Sequence, residues 1–101
     1  MHHLRVATYD VIDGTPGEIA DIVQQPDGML EIFHAMPGFK AYSVLEISPT
    51  EIMSISAWDT HAEAEEAIAA AAEWVATHMA DRVKRTYNTS ASALFWQGAV
   101  A

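Results

Sequence analysis

The run "THAEAEEAIAAAAEWVATHM", Thr60 to Met79, constrains the fold more than any other part of the chain. Thr60 with Glu63 three residues later forms a capping box, so a helix is predicted from His61 to about Met79. At about 100° per residue, Ala64, Ala67, Ile68, Ala71, Trp74, Val75, His78 and Met79 share one broad face, and Glu65, Glu66 and Glu73 share the other. A face paved with alanine brings the helix axis close to whatever lies beneath it, which suits the flat side of a β-sheet. Trp74 must then fill a wider gap near the helix end or reach a partner surface.

The strands of such a sheet flank this helix. "LRVATYDV", Leu4 to Val11, has the β-branched and aromatic content of a strand and ends before Gly14, Pro16 and Gly17. The next segment carries Ile19, Ile22, Val23, Met29, Leu30, Phe33 and Met36 at mostly helical spacings. Pro26 removes an amide donor and crowds the preceding turn, so a kink or two short helices joined at "QPDG" are expected. "PGF", Pro37 to Phe39, leads into a strand ending at Ile47; "SPTE" supplies a hairpin turn, and Ile52 to Trp58 forms the antiparallel third strand. The last strand is predicted over Ala91 to Gly98, with Phe95 and Trp96 pointing to opposite faces.

The order is strand, helix, strand, strand, helix, strand. It predicts an α+β fold: a ferredoxin-like split βαβ protomer with helices covering one face of a four-stranded antiparallel sheet. A chain of 101 residues fits one domain, 1–101, and a second copy is the economical cover for the other sheet face. A two-fold homodimer is expected, and a large pocket would have to be completed by the partner.

Charge and composition narrow the partners. Fourteen acidic residues against five lysines and arginines give a formal charge of −9, which opposes binding to nucleic acid. The cluster Arg82, Lys84 and Arg85 is too short to outweigh that field and reads as solvation of a helix terminus. With no cysteine, thiolate catalysis and sulfur-ligated metals are excluded. "MHHLRVATYDV" lacks the form of a signal peptide and no stretch approaches a membrane span, so a cytoplasmic protein with no membrane partner is expected. His61 and Glu65 could share a cation but lack a third donor, and His2 and His3 are terminal, so no metal is expected.

Four stretches together, "DGTPGE" after the first strand, "PGF" at Pro37 to Phe39, "SISAWDT" at Ser54 to Thr60 and "AEAEEAI" at Ala62 to Ile68, resemble the dimeric α+β barrel superfamily. Within it, the chain is similar to the small antibiotic-biosynthesis-monooxygenase-like proteins. The resemblance implies a homodimer with a cavity between sheet and helices in each protomer, and relatives that include cofactor-independent monooxygenases and haem-degrading enzymes. The haem-degrading branch is similar in having a histidine where His78 falls, but it also uses a first-strand asparagine and an earlier helical tryptophan. Here those places hold Ala7 or Thr8 and Ala67, while Trp74 lies only four residues before His78. Without the distal donor that would steer bound oxygen, haem degradation ranks low, and haem binding through His78 is a lesser option. No cofactor is expected.

The functional expectation is therefore a cofactor-independent oxygenase acting on a small aromatic, phenolic or quinol substrate. The alternative is a non-catalytic dimer that binds a small aromatic or apolar ligand or serves as an accessory subunit. His78 is the candidate base, and Tyr42 and Arg5 are candidates for polarising a phenol or enol oxygen. Trp58, Trp74, His34 and Phe33 are the candidate ligand-binding residues. A cavity of several hundred Å³ holding those polar groups would favour the enzyme, an interior filled by Phe33, Trp58, Trp74 and Met79 would defeat it, and an open apolar cavity without convergent polar groups would point to the binding protein.

Overall fold

The computed structural model describes residues 2–98. Seven elements follow one another: β1 (His3–Val11), α1 (Pro16–Val23), α2 (Met29–His34), β2 (Phe39–Ser48), β3 (Glu51–Trp58), α3 (His61–His78) and β4 (Val83–Ser92). The strands form one antiparallel sheet in the order β2-β3-β1-β4, the split βαβ topology read from the sequence. No helix among the described residues is long and apolar enough to cross a membrane.

Local chemistry explains where the helices start and stop. Thr60 caps α3, its hydroxyl accepting from the Glu63 amide at 3.2 Å, and Thr15 caps α1 in the same way through Glu18. The break at "QPDG" yields two short helices. Gly28 is required there: a Cβ would lie 2.6 to 2.9 Å from the carbonyl oxygens of Val23, Gln25 and Ile22. Asp27 beside it takes a left-handed φ of 64°, and its carbonyl accepts from the Trp74 indole at 3.2 Å, which ties this turn to α3.

On α3, Ala64, Ala67, Ala71 and Trp74 are buried, so the alanine face lies on the sheet as its composition implies. On β1, Arg5, Ala7, Tyr9 and Val11 alternate inward. The opposite sheet face carries Leu4, Val6, Met53 and Ile55, which are partly exposed, and Leu45 and Tyr87, which are exposed. One end of the interior is a packed aromatic cluster. Phe33 meets Trp58 and Tyr42 edge-on, with ring centroids 5.3 and 4.9 Å apart, and Trp58 also meets Phe39 at 5.5 Å. Each such pair contributes about 0.5–1.5 kcal/mol beyond its buried area. The Trp58 indole donates to Ser56 at 2.9 Å, so its polar atom is satisfied in the core.

The last strand is not where the sequence places it. The expected strand Ala91–Gly98 is replaced by β4 at Val83–Ser92, which starts directly after α3 as the Val83 amide donates to the Met79 carbonyl. β4 is an edge strand, and its Lys84, Arg85, Thr86 and Asn88 are the polar content that edges carry to discourage unwanted pairing. Hydrophobicity pointed to the run Leu94, Phe95 and Trp96, which lies beyond the sheet with exposures of 97%, 82% and 56%. Phe95 and Trp96 therefore do not stand on opposite faces of a strand.

Candidate functional site

The site begins with Arg5. Its place on the inward face of β1 buries the guanidinium, which is 1% exposed. Its Nη1 donates to the Ser54 hydroxyl on β3 at 3.0 Å and its Nη2 to the Tyr9 hydroxyl at 2.8 Å, two residues of its own face further along β1. The Nε is buried with no partner. The described residues form two ion pairs, Lys40–Asp59 and His61–Glu65, and neither involves Arg5. A cation is thus held in the interior by neutral oxygens alone, whereas buried charges are ordinarily paired.

Arg5, Tyr9, Tyr42 and Ser54 line one side of a cavity between sheet and helices, facing Met29, Trp74 and Met79. The free volume is about 30 Å³, room for one or two waters and not for an aromatic ring. A larger ligand would need side chains to give way, and two of those facing Arg5 are methionines, the most adaptable of core residues. Burial raises the Tyr42 hydroxyl above its ordinary ionisation range, while Ser54 and the Arg5 charge pull it back down. Tyr42 consequently stays a neutral phenol at physiological pH and can donate a hydrogen bond.

The expected site residues divide. Arg5 and Tyr42 meet at the cavity, and Trp74 forms part of its wall. Phe33 and Trp58 are fully buried in the aromatic cluster, where they fill the interior instead of lining the cavity. His34 is exposed, with its ring 4.6 Å from Phe39. His78 is the last residue of α3 and is exposed; its ring lies 5.4 Å from Trp74, outside the cavity lining. Helical phase alone centred it on the apolar arc, but the chain leaves the helix at Met79, whose side chain closes the cavity in its place. An exposed imidazole at a helix end offers no enclosed slot for haem and is well placed to interact with the helix dipole.

Tyr9 and Ser54 were missed as partners of Arg5. The signal was present: Arg5 and Tyr9 share strand parity, and Ser54 and Ser56 are small polar residues on the buried phase of "IMSISAW". Among the described residues, no group of three or more histidines and carboxylates is placed to hold a metal ion.

No protein-family model and no curated protein matches the chain. Solved structures do. SnoaB of Streptomyces nogalater, a cofactor-independent oxygenase, superposes with a TM-score of 0.72 at 18% identity, over 94% of this chain and 95% of that one. A Nitrosomonas europaea protein provisionally assigned as an antibiotic biosynthesis monooxygenase gives 0.71 at 17% identity, over 96% and 94%. A protein of unknown function from the same organism also gives 0.71 at 17%, over 100% and 98%. At these identities the likeness is one of fold, and the fold of this chain is that of the antibiotic-biosynthesis-monooxygenase-like proteins.

Proposed function

We propose that the protein is a cofactor-independent oxygenase whose cavity binds the oxyanion of a small phenolic, quinol or enolic substrate. The buried Arg5 guanidinium, with no carboxylate partner and an unused Nε, is the observation that carries this reading. A substrate oxyanion would supply the missing negative charge and accept from the idle donor. Arg5 lowers the cost of ionising the substrate, and Tyr42 adds a hydrogen bond from its neutral hydroxyl. The electron-rich anion is then the reductant and dioxygen the oxidant: the carbon that is CH₂ in the substrate's keto tautomer loses both hydrogens and becomes a carbonyl, with one oxygen atom entering the product and the other leaving with those hydrogens as water. His78, exposed at the end of α3, has no part in this scheme.

Phe33, Trp58, Trp74 and Met79 are all buried and leave a free volume of about 30 Å³, the outcome set against an enzyme; this favours a second reading, a binding protein without chemistry, in which a small ligand takes the room for one or two waters beside Arg5. Oxygen consumption with a panel of quinols and polyphenols separates the two. The oxygenase reading expects turnover that falls in Arg5→Met and Tyr42→Phe; binding without oxygen uptake supports the second reading, and turnover unchanged in both variants sinks the roles given to these residues.

A homodimer completes the proposal. Among the described residues no helix lies over the apolar sheet face bearing Leu4, Val6, Met53 and Ile55, and a second copy related by a two-fold axis would cover it. Sedimentation equilibrium of wild type and a Val6→Glu/Ile55→Glu variant tests this, because a monomeric wild type would rule the pairing out.

A further inference from the structure

We infer that an anionic ligand reaches Arg5 through the cleft between α3 and β4, with Arg85 at its mouth selecting for negative charge; this rests on the reading of the inner cavity as an oxyanion site. The cleft has a volume of about 170 Å³ and is lined by Tyr9, Val75 and Arg85 together with two small residues of α3, Ala72 and Ala76. Tyr9 and Val75 also line the inner cavity, so the two spaces share a wall. The Tyr9 hydroxyl on that wall accepts from Arg5 at 2.8 Å.

A β-bulge positions Arg85. Tyr87 pairs with Thr8, but the next pairing is Arg85 with Tyr9, so Thr86 is the extra residue. Thr86 turns to the Thr8 side, where the two hydroxyls are 2.7 Å apart. In an unbroken ladder Thr86 would stand opposite Tyr9; the bulge puts an arginine there, on the helix-covered side of the sheet. Bulges commonly re-aim a side chain beside a functional site.

Charge gives this location its meaning. On a chain of formal charge −9, an anion is repelled by most of the surface. Of the five lysines and arginines, Arg5 is buried and Lys40 pairs with Asp59 at 3.1 Å, which leaves Arg82, Lys84 and Arg85 around the start of β4. Arg85 is exposed and makes no ion pair among the described residues. A rival cleft of about 230 Å³ adjoins the inner cavity on the β2 side through Val23, Tyr42 and Val44, but no lysine or arginine lines it. The cluster expected to solvate a helix terminus thus includes the cation at the cleft, one shared wall away from the buried cation.

Stopped-flow fluorescence with salicylate as the anionic probe and salicylamide as its neutral counterpart tests the inference, using wild type, Arg85→Gln, Arg85→Glu and Arg5→Met. Arg85→Glu is expected to slow salicylate association roughly tenfold at low salt and Arg85→Gln roughly threefold, with release changed less than twofold and the effect fading at high salt. Salicylamide association should not respond to Arg85. If Arg5→Met abolishes salicylate binding while both Arg85 variants associate at the wild-type rate, the oxyanion site stands and the entrance is overturned. If Arg85→Glu slows association but Arg5→Met binds normally, the anion stops in the cleft and the path is overturned. Wild type that binds no salicylate overturns both readings.

Discussion

Replacing Arg5 by methionine should leave the fold intact or make it more stable while removing oxyanion binding. Burying an ion costs several kcal/mol even after the protein relaxes. Two charge-assisted hydrogen bonds, to Ser54 at 3.0 Å and Tyr9 at 2.8 Å, offset part of that; each is worth about 1.5–3 kcal/mol, and the unpartnered Nε adds back a cost of about 1–3 kcal/mol. The balance is near zero or unfavourable. Methionine fills much of the volume without a charge, and the freed Ser54 and Tyr9 hydroxyls adjoin a space with room for a water. The expected change is between zero and about 2 kcal/mol of added stability, in line with other buried charges replaced by apolar residues. In a domain of this size each kcal/mol moves Tm by about 4–8 °C, so urea unfolding and calorimetry resolve the effect. A loss of more than about 2 kcal/mol would refute the reasoning, because it would make Arg5 a structural tie of the kind whose removal is costly.

Further outcomes follow from the same geometry. Tyr42→Phe should lower turnover roughly 100- to 1,000-fold, as loss of one oxyanion donor does, with stability changed by about 1 kcal/mol or less. Because burial raises the Tyr42 ionisation, its contribution to stability is complete below the ordinary tyrosine range near pH 10 and is lost as pH rises through the higher folded value; urea unfolding from pH 8 upwards should therefore decline more steeply in wild type than in Tyr42→Phe. His78→Ala should leave turnover unchanged and cost no more than about 1 kcal/mol of dipole interaction, and haemin titration should show no Soret shift that depends on His78; a tenfold loss of turnover would return His78 to the site. Gly38→Ala should destabilise by roughly 1–3 kcal/mol in denaturant unfolding, since Gly38 has φ of 79° and a Cβ there would overlap the Glu63 carboxylate.

The fold was legible because several local signals agree with one topology. The Thr60 cap, the alanine face and the break at Pro26 each act within a few residues and survive into the structure, although the Glu63 carboxylate does not return the bond that a full capping box would have. β4 was not legible, since an edge strand with an exposed face need not be apolar, while Leu94, Phe95 and Trp96 are apolar without being buried. The site was half legible. Residue type put Arg5 and Tyr42 among the candidates and left open which way they point, and the pairing of Arg5 with Ser54 depends on register between strands 49 residues apart, which periodicity does not encode. His78 misled for a related reason: helical phase gives a direction around the axis and says nothing of where the sheet beneath comes to an end.

The central claim is that the Arg5 cavity is built for an oxyanion. It is tested most directly by the ionisation of a bound phenol, using para-nitrophenol as a chromophoric probe whose absorbance reports its charge in complex with wild type and with Arg5→Met. The expected result is an apparent pKa lowered by about one unit or more on binding to wild type, equivalent to about 1.4 kcal/mol or more of preference for the anion, with the shift absent in Arg5→Met. A bound phenol whose pKa is unchanged or raised in wild type would contradict the account.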